Sequence, residues 1–521
     1  MTAMKELKVR LLYPATLAAA CIGLLACVIQ SPAIRPVNLQ KPPAVVQSPV
    51  KAHLTDGSTV VYPNGVTLYG NFLNGSGLRY PLGSATGAQA TSIPLDSVVG
   101  MEAYDRRVNV VGSVAATTAA GALTALGTVG ALVAIFGSCP TFYADSAGVE
   151  LLQGEGFSYS VAPLLEQRDV DRLRLTPTKD GRLTLNVRNE ALETHYINHI
   201  EIIEATHDQE ESIFPDQRGR AVAVSKIAPP HSIRNRAGDD ISRAIRAADE
   251  VVFSSNSTTR ENATEADLDD WIDLVVPVSP GADSVAVIMD MRNSLLNTVL
   301  LYDYILGAPG IKSLDFLGKD LENISGAVEM AKWYSSHMGM RVSVLDGSTW
   351  RQVARIGDSG PIAFHQVALM VPAVRSSGGN VRVRLSFVAD DWRIDAIRTS
   401  TSWRRPATRV IPAARVAMGD PGQNKAALAS VVDSDEGYLI TSPGQSFRVE
   451  FEAGVQASPA RTFMLASQGY YTEWVRGSWI KAASGEKFVP SNATLLKAMR
   501  QWRVKQEDME RHFYSSRIAA R

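Results

Sequence analysis

The sequence predicts a mainly β protein with added helices: β-sandwich-like domains, a small N-terminal β-barrel or meander, and one Gly/Ala-rich hydrophobic helix or hairpin. Period-two apolar runs recur along the chain: Leu183, Leu185, Val187; Val285, Val287, Met289; Val381, Val383, Leu385, Phe387; Phe447, Val449, Phe451. Successive side chains of a strand point to opposite faces, so this alternation marks strands buried on one face. Turn signals punctuate β-branched stretches near the N-terminus. Helical patches are scattered and follow no strand–helix–strand rhythm. With 521 residues, 45% of them hydrophobic, the chain can fill several cores.

The N-terminus reads as an address. Lys5, Lys8 and Arg10 precede an uncharged run from Leu11 to Ile34, the layout of a secretory signal. Leu24-Leu25-Ala26-Cys27 resembles the lipobox of bacterial lipoproteins. The resemblance implies cleavage of a 1–26 signal peptide, lipidation of Cys27, and, with no Asp after the cysteine, sorting to the outer membrane facing the periplasm. Attached acyl chains bind a membrane at about 0.8 kcal/mol per buried methylene. Two alternatives stay open: an uncleaved inner-membrane anchor, since spanning a bilayer takes about 20 apolar residues, and cleavage at another small residue. All three place the chain in the bacterial cell envelope. Five prolines fall within residues 31–50, so residues 27–50 are expected to be a Pro-rich tether rising about 3.1 Å per residue.

Residues 51–107 read as a small β-meander or barrel, with Asp56-Gly57 and Asn64-Gly65 as its turns. The stretch resembles SH3-like or Sm-like barrels of bacterial envelope proteins, which implies a small barrel and no activity. Residues 108–137 form a hydrophobic Gly/Ala-rich helical segment. Between Val110 and Phe136 stand eight Ala, four Gly, four Thr and one Ser, with small residues four apart at Gly112, Ala116, Ala120 and Thr124. Such a face lets two helices approach closely. It suits packing against protein or self-association, an outer-membrane insertion, or an inner-membrane span.

The remainder divides into a β-sandwich-like domain at 138–290, a helical insertion at 291–339, a β-rich domain at 340–480 and a C-terminal amphipathic helix at 481–521. Helices are expected at Asp240–Val251, at Ser294–Ile305 with Asn293 as cap, and at Asp320–Met338. From Asn492 onward Leu495, Met499, Trp502, Met509 and Phe513 share a face. The segment from Ser138 with its Cys-Pro-x-x-Tyr start, then ETHYINHIEIIEATH and RTFMLASQGYYTEWVRGSW, resembles uncharacterised bacterial secreted β-rich proteins. That resemblance implies a β-sandwich and no chemistry.

Composition narrows function. The net charge is −1; removing residues 1–26 takes away a net +2 and leaves −3. A nucleic-acid binder would carry a basic patch and a high pI, so no nucleic-acid partner is expected. The three cysteines are Cys21, Cys27 and Cys139. With Cys27 acylated, Cys139 remains as a buried structural thiol and no intrachain disulfide can form.

Several motifs invite chemistry without completing it. Gly357-Asp358-Ser359-Gly360-Pro361 resembles the nucleophile loop of trypsin-like proteases, but a glycine is missing and no upstream histidine context matches, so it reads as a turn. His195, His199 and His207 lie among isoleucines on a strand, where residues four apart are about 13 Å apart, so they read as strand-surface polar residues. Gly307-Ala308-Pro309-Gly310-Ile311-Lys312-Ser313 lacks the spacing of a phosphate loop and reads as a turn. Asp267, Asp269, Asp270 and Asp273 read as a solvated helix start, and Asp390 and Asp391 as turn residues. Tyr470, Tyr471, Trp474 and Trp479 read as core aromatics. No catalytic, metal-binding or cofactor-binding residue is assigned and no cofactor is expected. The sequence leans away from an enzyme. It points to an envelope lipoprotein that acts in binding or assembly, with the membrane as partner and other envelope proteins or a second copy, through residues 110–136, as further candidates. The alternative is an envelope hydrolase whose site gathers residues distant in sequence.

Overall fold

The computed structural model describes residues 42–512 apart from 83, 85, 105–138, 147–148, 250, 256–262, 322–323, 375–378 and 456–459. Cys27, the Gly/Ala-rich segment and Phe513 lie outside the described residues. What is described is mainly β with helices added, in five sheets. No helix among the described residues is long and apolar enough to cross a membrane.

An eight-stranded N-terminal sheet runs in the order 44–46, 66–69, 72–80, 59–62, 50–54, 98–103 and 475–476, with 88–94 added on 72–80. It begins at Ala44, within the stretch expected to be tether. Asp56 accepts hydrogen bonds from the Ser58 amide and hydroxyl, and Gly57 closes that turn at φ 80°. Gly65 is obligatory at φ 79°, because a Cβ there would lie 2.1 Å from Val46 O.

Strands 232–235, 269–277, 380–388, 340–346 and 349–356 form a five-stranded sheet that faces a three-stranded one of 365–372, 284–293 and 392–400. Ile272, Leu274, Val276, Val285, Val287, Met289, Val381, Val383, Leu385 and Phe387 fill the space between them. These are the alternating positions of the sequence, and burying each such side chain is worth about 1.5–3 kcal/mol. On the outer face of the larger sheet, tryptophans and arginines interleave. Arg236 and Arg384 stack on Trp271 at 4.9 and 4.7 Å, and Arg384 and Arg382 on Trp350 at 4.3 and 5.7 Å.

The nine-stranded sheet runs 167–172, 460–473, 193–207, 407–417, 446–452, 182–188, 141–146 and 149–155, with 439–441 paired to 193–207. Strand Ala407–Ala417 pairs first with Glu193–His207 and then, past an irregularity at Ala413/Arg415, with Ser446–Glu452. The sheet folds there around Leu185, Val187, Ile197, Ile200, Phe447, Val449 and Phe463. Helix Pro421–Val432 packs Ala427 and Val431 into the same core. Its start is a capping box: Asp420 accepts from the Gly422 and Gln423 amides, and Gln423 from the Asp420 amide.

Between this sheet and the sandwich lies a third layer of strands 212–215, 221–225 and 402–404. Val222 and Val224 pack on Ala286 and Ile288, while Ala221 and Ala223 pack on Ala205 and Met464. Burial on both faces explains the unbroken apolar run there.

The helical layer packs on the N-terminal sheet. Leu296–Val299 is α-helical and runs on through a π-helical stretch, Leu300–Gly307; helix Ile324–His337 follows. In the C-terminal helix Asn492–His512, Leu495, Met499 and Trp502 are fully buried in one core with Val50, Ala52 and Met101. Two of the helix expectations fail here. Residues 240–249 are turns, because Ile245 bonds to Ile397 as a loop capping the sandwich. Asn293 caps no helix, because its side chain is committed elsewhere.

Candidate functional site

A cavity of about 320 Å³ opens where the helical layer, the segment after strand Val149–Glu155 and the Gly357–Pro361 loop meet. Leu300, Leu301, Ile305, Phe316, Leu317 and Met338 make most of its wall apolar. Leu300, Leu301, Tyr302 and Ile305 come from the π-helical stretch, a rare geometry that recurs at functional sites, and Met330, Ala331, Tyr334 and Ser335 from helix Ile324–His337. Ala331, Ser335, Gly357 and Gln167 line it with exposed positions, which sets them at its mouth.

One end is polar. Ser158, Tyr159, Asn297, Tyr334, Arg355 and Asp358 line it. Asn293 is the clamp behind them. Its Oδ1 accepts from the Ser359 and Gly360 amides at 2.7 and 3.2 Å, and its Nδ2 donates to Asp358 Oδ1 at 2.9 Å. Asp358 Oδ1 also accepts from the Gly339 amide at 3.1 Å. Asp391 Oδ1 accepts from Asn297 Nδ2 at 3.0 Å. Neither Oδ2 receives an N–H donor. The two aspartates are neighbours across Asn293, whose Nδ2 donates to Asp358 Oδ1 and, at 3.4 Å, to the Asp391 carbonyl. Burial raises both above the ordinary carboxylate range, and the charge of Asp358 adds to the rise at Asp391, well above it. Like carboxyls this close cannot both ionise, so the pair holds one proton. The Tyr334 hydroxyl also faces Asp358.

A second buried acid pair stands behind Tyr302 and Tyr471, which line another part of the cavity. Burial pushes Glu193 up to about 8 and Glu473 well above its ordinary value. Glu193 Oε1 accepts from the Cys139 amide at 2.5 Å and lies 2.7 Å from His195 Nε2. Burial lowers His195 to about 3, so the ring is neutral at neutral pH. Arg476 reaches Glu473 at 3.3 Å. Neither glutamate lines the cavity.

The positions the sequence singled out scatter. The Gly357–Pro361 loop is a turn, and no histidine lines the cavity. Gly360, at φ 91°, packs its backbone against Glu155 and Ser158. Asp390 is a turn residue at φ 67° paired with Arg393, whereas Asp391 is fully buried in the acid pair. His195 is fully buried, not at the strand surface. His199 reaches Glu201 at 3.0 Å and His207 reaches Thr462 at 2.9 Å. Among the described residues no three His, Cys, Asp or Glu side chains are grouped to hold a metal. Asp269–Pro277 is a strand, with Asp273 bidentate to Arg384, not a helix start. Ser313 Oγ donates to Gly310 O within a helical turn. Tyr470 stacks on Tyr196 at 4.5 Å, and of the four aromatics only Tyr471 lines the cavity. Asn297, Tyr159 and Tyr334 carried no sequence signal, and Asn293 only that of a helix cap: they are single polar residues from three distant segments.

No protein-family model and no curated protein sequence matches this chain. A solved structure titled "Structure of allantoicase" is similar over 50% of this chain and 90% of that one, at 12% identity and a TM-score of 0.16, a likeness that carries no argument.

Proposed function

We propose that the chain is a cell-envelope lipoprotein, anchored through Cys27 and facing the periplasm, that binds an amphipathic molecule with its apolar chain in the cavity. The observation that carries the reading is the cavity itself: about 320 Å³, apolar along its length and polar at one end. Small-molecule sites run about 300–1,000 Å³, with a few placed polar groups that fix orientation. The Leu24–Cys27 motif and the prolines that follow support the anchor.

Two measurements test this. Intact mass of the detergent-extracted protein should show a chain starting at Cys27 with added acyl mass, lost in Cys27→Ala; a chain retaining Met1 overturns the anchor. A fluorescent decanoic acid analogue should bind the wild type and be excluded by Ala331→Trp at the mouth. Absence of binding, or equal binding by the blocked variant, overturns the cavity as the site.

A further inference from the structure

The polar end of the cavity is not satisfied by the protein alone. Asn297 is 7% exposed and Ser158 4% exposed. Both line the cavity, and neither Asn297 Oδ1 nor Ser158 Oγ has a hydrogen-bond partner in the described structure. Orphaned polar atoms cost about 1–3 kcal/mol each when buried dry. Two in one recess, beside a carboxyl pair, mark a place where a polar group or water belongs. Tyr159 accepts from Asn297 Nδ2 at 3.2 Å, so its own proton is available to a guest. Burial keeps that hydroxyl protonated.

We propose that Asp358 is a general base and acid that hydrolyses an acyl ester whose apolar chain fills the cavity, with Asp391 as its positioning partner. This rests on the cavity being a ligand site. Asp358 lines the cavity and Asp391 lies behind it. Asn293 and the Gly339 amide fix Asp358 Oδ1, while Oδ2 accepts no N–H and keeps a lone pair for the proton of a water. The ionised Asp358 takes a proton from water as the water oxygen bonds to the ester carbon. The carbonyl electron pair moves to oxygen, where Tyr159 donates a hydrogen bond. Asp358 then returns the proton to the alkoxide as the carbon–oxygen bond breaks. Ester and water become acid and alcohol, and the pair ends with the proton it began with. Asp391 holds that proton throughout and donates it as a hydrogen bond to Asp358. The other titratable or charged groups around the pair are Tyr159, Tyr334, Glu155, Arg355 and Arg393.

The experiment uses the full chain in detergent, with the fluorescent decanoic acid analogue for binding and p-nitrophenyl decanoate for turnover. Asp358→Asn should lose turnover at saturating substrate by about 100-fold or more, the scale of a lost general base and beyond any change in probe affinity. Asp391→Asn, which still offers an N–H to Asp358, should keep most activity but lose the alkaline limb of the pH–rate profile. A merely structural Asp391 would leave that profile in place. Probe binding without wild-type turnover overturns the catalytic inference and spares the binding reading. Absence of probe binding overturns the binding reading first. Undiminished turnover in Asp358→Asn also overturns the inference. Should that variant fail to fold, the Asp391→Asn profile decides.

Discussion

The imidazole of His53 lies flat on the indole of Trp474, with ring centroids 3.7 Å apart and planes within 3°. The contact joins the second strand of the N-terminal sheet to the end of strand Ala460–Glu473. His53 Nε2 and Lys51 Nζ each reach Glu102 Oε1 at 3.2 Å, and Trp474 Nε1 donates to Thr194 Oγ1 at 3.0 Å. Burial lowers His53, so the stacked ring is neutral.

His53→Ala therefore loses a stack and a bond to a buried carboxylate. We expect a loss of about 1–3 kcal/mol in urea unfolding. In a double-mutant cycle with Trp474→Leu, a coupling of about 0.5–1.5 kcal/mol is expected for the stack; zero coupling removes it as a source of stability.

Stability should fall on the alkaline side. For His365, burial acts to lower the pKa, but Asp171, 2.5 Å from Nδ1, overrides it and raises the ring to about 9. Burial raises Glu193 to about 8. Both groups hold a proton more tightly folded than unfolded. Their contributions are complete below the ordinary values of 6.5 and 4.5 and are lost as pH rises through about 9 and about 8. The melting temperature should drop over that range, and His365→Gln should flatten the upper part. A flat melting profile from neutrality through about 9 contradicts the assignment.

Two glycines of one loop should behave oppositely. At Gly360 a Cβ would lie 2.4 Å from Glu155 Oε1 and from Ser158 Oγ, at φ 91°. At Gly357 nothing lies within 4 Å of a Cβ. Gly360→Ala should cost about 1–3 kcal/mol and Gly357→Ala less than about 0.5 kcal/mol, read by thermal unfolding. Equal effects would show that the loop does not press on Glu155.

Arg384→Lys keeps the charge but loses both ring contacts and the fork onto Asp273, at 2.7 and 2.8 Å. A loss of about 1 kcal/mol is expected, because a point charge cannot stack or bind a carboxylate bidentately. Chemical denaturation of the variant checks it; wild-type stability would make the ladder ornamental.

The β-rich architecture was legible because alternation at Val381, Val383, Leu385 and Phe387 is a local signal with a local cause. The stripe of Leu495, Met499 and Trp502 was legible for the same reason, at helical period. Residues 240–249 misled because Ile241 and Ile245 are four apart, yet the sandwich takes them as a loop. The acid pair was not legible: Asp358 and Asp391 stand on separate turns, and only the pairing of strands brings them together. Asp391 even sits beside Asp390, a true turn residue, so its neighbour disguised it.

The N-terminal sheet takes Val475–Arg476 as its last strand, against Val98–Ala103. A strand from the far end of the chain thus completes a sheet whose other members all precede residue 104. Loop closure over so long a separation is slow. Whatever order the other sheets follow as the chain emerges, this one stays open-edged until some 370 further residues have been threaded past it. An unpaired edge invites wrong partners, so a helper that shields Val98–Ala103 while the rest of the chain is made would act on the most exposed moment in the life of the chain.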